Sequence, residues 1–155
     1  MVDSSVRLPI GVLADGSRHV HGLLEIEISG RVLPAMGFWG PDDVCFNTWA
    51  EELSRILLTL GCHEAATYTF DEGEQGQPAY EFRREGDTLL VSVVSSLLSG
   101  AEGDSSFKEV KCRWGEFVLA ASNFFSAFHS ALIEQCPDAG PIWWNSNVPA
   151  DMDFR

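Results

Sequence analysis

Residues 41–61, PDDVCFNTWAEELSRILLTLG, carry the most complete helix pattern in the chain, and the layout of the rest follows from them. Asp42 or Asp43 is placed to cap the first turn, where a carboxylate accepts from unpaired backbone N–H groups and suits the positive end of the helix dipole. Gly61 is expected to end the helix in a left-handed conformation. Between these ends Trp49, Leu53, Ile56, Leu57 and Leu60 recur at helical spacing on one face, while Glu51, Glu52 and Arg55 fall mainly elsewhere. So apolar a face must be covered, and the β-like runs on either side point to a sheet as the cover.

Upstream, residues 6–13 read as an edge strand, because Pro9 cannot donate to a central ladder. From His21 to Ile28 the alternation puts Leu24, Ile26 and Ile28 on one face and Glu25 and Glu27 on the other, the pattern of a half-exposed antiparallel strand. Ser29-Gly30 is the hairpin turn, Arg31 to Ala35 the returning strand, and MGFWGPD (36–42) a glycine-bracketed aromatic loop leading into the helix. Downstream, Ala65 to Asp71 should pair with Ala79 to Arg84 across the polar connection EGEQGQP. Thr88 to Ser95, apolar on both faces apart from its serines, should be a central strand. Residues 95–106 are Ser/Gly-rich and read as a loop, and Phe107 to Arg113 as a last strand.

Gly115 to Gln135 is a second helix with two stripes, one of Phe117, Ala121, Phe124, Phe128 and Leu132, the other of Val118, Phe125, His129 and Ile133. A helix this apolar is either packed on several sides or shared with a partner subunit, and burial within the monomer is preferred. Residues 137–155 contain further prolines and are expected as an extended C-terminal strap, with Trp143 and Trp144 packing back on the body. The expected fold is therefore α+β, a single domain over 1–155. Its antiparallel sheet has about five to six strands, with two helices packed on one face.

Composition narrows the function classes. The 155 residues, 45% of them hydrophobic, suffice for one real core. A net charge of −13, from 23 acidic and 10 basic residues, excludes a phosphate backbone as partner and favours a basic protein or simple solubility. The opening MVDSSVRLPIGVL lacks the pattern of a signal peptide, and no run reads as a membrane span, so a cytoplasmic location is expected. Cys45, Cys62, Cys112 and Cys136 show no CxxC spacing and read as reduced, mostly buried thiols, not as a disulfide or zinc framework.

His19 and His21, two apart on a strand, project to one face as two metal ligands do, with Cys62, His63 or a distant carboxylate as the third. Nothing in the spacing demands a metal, so partly exposed strand histidines are the preferred reading, and no metal ligand or cofactor is assigned. His129 with Cys112 or Cys136 lacks an identifiable orienting group and reads as a core or interface histidine. The pairs Glu25/Glu27 and Glu81/Glu85 are what strand alternation already places outside, with Arg83 and Arg84 at hand to neutralise them. With no phosphate loop, nucleophile elbow or HExxH motif, no catalytic residue is assigned. The aromatics Phe38, Trp39, Trp49, Trp114, Trp143 and Trp144 either lid the core or anchor a partner. Those beside carboxylates define a candidate partner surface of Phe38, Trp39, Asp42, Asp43, Asp71, Glu72 and Glu74.

The run LLEIEISGRVLP, the helix with its central Trp49, YTF, PAYEFRREGDTLLVSV and the phenylalanine-rich helix together resemble small acidic bacterial proteins of uncharacterised families, some similar to immunity proteins of polymorphic toxin systems. The resemblance implies a cytoplasmic, non-enzymatic protein that occludes a basic toxin. Asp42, Asp43, Glu72 and Glu74 would supply charge and Trp39 an apolar anchor. Two alternatives stand beside it: a small-molecule-binding protein or enzyme with a pocket between sheet and helices near His129, Tyr68 and Tyr80, and a homodimeric module joined through 117–133.

Overall fold

The computed structural model describes residues 19–37, 39–40, 43–74 and 76–150. In chain order the elements are β1 (His21–Gly22), β2 (Glu27–Ile28), β3 (Arg31–Val32), β4 (Val44–Cys45), α1 (Phe46–Gly61), β5 (Ala65–Phe70), β6 (Ala79–Glu85), β7 (Thr88–Val94), β8 (Val110–Arg113), α2 (Trp114–Gln135) and α3 (Gly140–Asn147). The edge strand expected over 6–13 lies outside the described residues.

The fold is α+β and built on an antiparallel sheet of order β5-β6-β7-β8, four strands in place of the expected five to six. The other strands form separate two-residue pairs, β1 with β4 and β2 with β3. The pairing register lines up Tyr68, Phe82, Val91 and Val110 across the sheet, and Phe70, Tyr80 and Val93 in the next row. These rows face the helices. Trp49 of α1 meets Phe70 edge-on at 5.0 Å between ring centroids, and Phe117 of α2 lies 6.0 Å from Phe82. β7 is central, as its two-sided apolar pattern requires, with even Leu90 and Ser92 on the far face buried.

Upstream of α1 the expected alternation holds in burial but not in ladder length. Leu24, Ile26 and Ile28 are buried and Glu27 is exposed, yet the run divides between two short pairings. Ser29 and Gly30 both adopt positive φ, 51° and 77°, which matches the twist of a tight hairpin.

α1 begins at Phe46, later than the aspartates suggest. Val44 and Cys45 pair antiparallel with β1 instead, Gly22 opposite Val44 and His21 opposite Cys45. No side chain caps the helix; the Phe46 N–H donates to Val20 O (2.7 Å), and Asn47 Oδ1 accepts from the Val20 N–H (2.8 Å). At the other end Gly61 stays helical and the chain leaves through Cys62 in an ordinary right-handed conformation. The carbonyl left open there is met from the sheet: Arg84 Nη1 donates to Leu60 O (2.7 Å) while its guanidinium lies 4.9 Å from the Trp114 ring. A cation at a helix C-terminus complements the dipole, so a long-range contact does the work assigned to a local glycine.

α2 is buried in the monomer along Trp114, Phe117, Ala121, Phe124, Phe125, Phe128 and Leu132. By length and composition it is apolar enough to cross a membrane, but this face packs on the sheet, α1 and α3. The expected extended strap is replaced in part by α3. Pro141 sits in its first turn, where a missing N–H costs nothing, and Trp143 is fully buried against Phe128 at 5.3 Å. Asn147 ties α3 to α1, accepting from Asn47 Nδ2 at 3.0 Å. Gly140 lets the turn into α3 approach α2, since a Cβ there would meet Leu132 O at 2.8 Å.

Truncation of Phe128 to Ala removes contacts to Phe46, Phe124, Trp143 and Trp144 at once. It should cost about 3–5 kcal/mol in urea unfolding. Arg84→Met keeps the stem but leaves the α1 carbonyl unmet, and should cost about 1–3 kcal/mol in the same assay. An Arg84→Met protein as stable as wild type would show that α1 ends without it.

Candidate functional site

A cleft of about 320 Å³ opens between β1, the loop before β4, the start of α1 and the β5–β6 connection. Its walls include His19, His21, Trp39, Asp43, Cys45, Thr48, Glu72 and Glu74. Four of the candidate partner residues, Trp39, Asp43, Glu72 and Glu74, therefore converge on one site although they are spread over 36 positions by their numbering. Phe38 and Asp42 lie outside the described residues.

Of the five tryptophans, Trp39 is the one that stands in solvent, 83% exposed. Trp49, Trp114 and Trp143 are core residues, and Trp144 is half-buried against Phe125 and His129. The Trp39 backbone N–H donates to Asp43 Oδ2 (3.2 Å), and the other oxygen of the same carboxylate meets His21 Nδ1 at 2.9 Å. Asp43 therefore organises the cleft mouth instead of capping α1.

Glu72 is the electrostatically loaded group of the cleft. Burial holds its carboxyl above the usual carboxylate range, helped by the negative charges of Glu74 and Glu52; the Thr48 hydroxyl and His21 act in the opposite direction. Crowded carboxylates of this kind attract a cation, whether side chain or ion.

Asp71 departs from the expected set. Its carboxylate accepts from Ser96 Oγ (2.7 Å) and from the backbone N–H groups of Leu97 (3.0 Å) and Gly73 (3.2 Å). Burial alone would raise its pKa, but these donors hold it below the ordinary value. It is a staple for the loop after β7, which is thereby ordered although its sequence reads as a flexible insert. Nothing local to Asp71 announces this, because the donors at Ser96 and Leu97 lie 25 and 26 residues further along the chain.

Between α1, α2 and the segment leading into β2 the described residues leave little free space. The void bounded by Leu24, Ile26, Leu53, Phe117, Ala121 and Phe124 measures about 10 Å³, which is at the limit for a single water. Tyr68 donates to Glu52 Oε2 (2.6 Å) and is pushed up to about 12 by burial and by that carboxylate, while Tyr80 donates to Pro34 O (2.9 Å). The Glu52 carboxylate, buried on α1 against expectation, is matched on its other oxygen by Arg55 at 3.0 Å. His129 is exposed, its ring 4.5 Å from Trp144, not in the core. Cys112 is pushed up to about 11 by burial and by Glu116, far from the range of a nucleophilic thiol. All four cysteines are free, with Cys62 exposed and the others half-buried, so the mostly buried setting expected for them is not found.

Cys45 is the cleft residue that the sequence pattern hides. Assigned to a helix, it has no relation to His19 or His21; paired through β4, it lies directly across from His21. One ligand atom from each of His19, His21 and Cys45 lies within 4.8 Å of the others. No protein-family model matches the chain, and no curated protein or solved structure matches it either.

The Glu72 environment has a measurable sign. Because its folded-state pKa is raised, the native state holds that proton more tightly than the unfolded chain does. The associated stability is present below the unfolded value and lost as pH rises through the folded one. Glu72→Gln should therefore melt above wild type at about pH 7, with the advantage shrinking as pH falls and the wild-type carboxyl takes up its proton. Equal or lower melting of Glu72→Gln at neutral pH would contradict the crowding.

Proposed function

We propose that this chain is a cytoplasmic, non-enzymatic binding protein of the immunity type, which neutralises a basic bacterial toxin by receiving part of its surface in the acidic cleft. The observation that supports this reading is the convergence of Trp39, Asp43, Glu72 and Glu74 on one opening. Trp39 offers a large exposed anchor, and a Lys or Arg side chain entering beside Glu72 and Glu74 relieves their mutual repulsion. The net charge of −13 adds long-range steering toward a basic target, with association slowing steeply as salt rises. Glu52 and Asp71 already have their donors, whereas Glu72 and Glu74 stand side by side in the cleft as like charges.

The expected genomic neighbour is a large secreted protein with a toxin-like C-terminal domain. Expression of that domain should arrest growth, and co-expression of this chain should restore it. A variant carrying Trp39→Ala, Glu72→Lys and Glu74→Lys should fold as wild type does, bind the domain about a hundredfold more weakly, and fail to rescue. Rescue that survives all three substitutions would remove the cleft from the interface, and failure of the wild-type chain to rescue would overturn the immunity reading.

A further inference from the structure

The geometry points to a second property of the same region: His19, His21 and Cys45 form a three-ligand site for a borderline-soft divalent metal, Zn²⁺ by preference. Three features bring the ligands together. His19 and His21 are two apart on extended chain, so their side chains project to one side, and their rings lie 6.3 Å apart at 28°. The antiparallel register sets Cys45 opposite His21. The Phe46–Val20 and Val20–Asn47 hydrogen bonds then lock that register from the helix side.

Distances suit a metal with little adjustment. Cys45 Sγ is 4.0 Å from His19 Nδ1. Tetrahedral zinc with bonds of about 2.0–2.3 Å requires roughly 3.5 Å between such atoms, a difference that side-chain rotation supplies. Two imidazoles and a thiolate form a set that selects zinc over calcium or magnesium, whose preferred ligands are oxygens.

The supporting group is already in place. Asp43 Oδ1 sits 2.9 Å from His21 Nδ1, so it accepts that N–H, fixes the ring and leaves Nε2 as the nitrogen for a metal. Ligating histidines are generally held by a carboxylate in this way. Glu72 and Glu74 line the same cleft and draw cations toward it. Three protein ligands leave one position of a tetrahedron for water or for a donor brought by a molecule in the cleft. The site stands independently of the immunity reading, and its test needs no partner protein.

Titration of the full chain with Co²⁺ provides the test. Wild type should give a thiolate-to-cobalt charge-transfer band that saturates near one equivalent and is displaced by Zn²⁺. Cys45→Ser should abolish the band, whereas Cys62→Ser, at an exposed thiol outside the cluster, should keep it. Asp43→Asn should weaken Co²⁺ binding about tenfold, and His21→Ala about a hundredfold. His19→Ala provides the control for folding, because His19 is exposed and its loss leaves the core intact. Zn²⁺ should raise the melting temperature of wild type and leave that of His19→Ala unchanged. No charge-transfer band in wild type, a band that survives Cys45→Ser, or equal Zn²⁺ stabilisation of wild type and His19→Ala would each overturn the site.

Discussion

The packing of Phe46 is the contact on which the rest depends. Its ring stacks on Phe128 at 4.9 Å and on Phe124 at 6.1 Å, so the first residue of α1 is wedged against the middle of α2. On its other side it lies so close to Gly22 that a Cβ there would stand 2.5 Å from Phe46 Cε2. One side chain thus joins the first described strand, the first helix and the second helix, and through Phe128 it reaches Trp143 of α3. A glycine is required at 22 because the chain passes directly over the aromatic ring. Burial of a phenylalanine of this size contributes about 1.5–3 kcal/mol from transfer alone, and interlocking with other rings adds to it.

That same wedge positions the cleft. With Phe46 seated, the residues just before it run back along β1 and make no helical turn. Cys45 is then held opposite His21, and Asp43 within reach of the His21 ring. The cleft is therefore a by-product of how the core closes at the start of α1. Its electrostatics follow from what the core does not supply. Glu52 is buried with Tyr68 and Arg55 as donors, and half-buried Asp71 is met by a hydroxyl and backbone N–H groups. Glu72 has the Thr48 hydroxyl but also Glu74 and Glu52 as like-charged neighbours. The difference between a structural carboxylate and one poised for a cation lies in the donors around it.

Much of the architecture was legible before any coordinates. The Trp49 face of α1, the pairing of 65–71 with 79–84, the central position of 88–95 and the Ser29-Gly30 hairpin all rest on periodicity or turn chemistry. Those signals are carried by neighbouring residues. The departures share a cause. Asp42, Asp43 and Gly61 look like helix ends, but the ends were set by Val20, Asn47 and Arg84, all supplied from other segments or revealed only by the fold. The prolines after 137 suggest an extended strap, yet one of them opens a short helix that tryptophan burial holds in place. In the candidate site, Trp39, Asp43, Glu72 and Glu74 carry a charge or aromatic signal in the sequence, and the fold brings them to one cleft. Asp71 looks identical to them in sequence and differs only through a loop that returns to it.

Local pattern, then, settles the fold class, the helix faces and the acidic character of the loops, because each depends on side-chain spacing along a few turns or one strand. Tertiary structure alone decides that residues 44–45 are strand, that α1 is closed by an arginine from the sheet, and that His19, His21 and Cys45 share one corner of the cleft. Those outcomes depend on which distant segment reaches a given backbone group first. That competition is resolved by burial of Phe46 and its aromatic neighbours, not by the propensity of any single stretch.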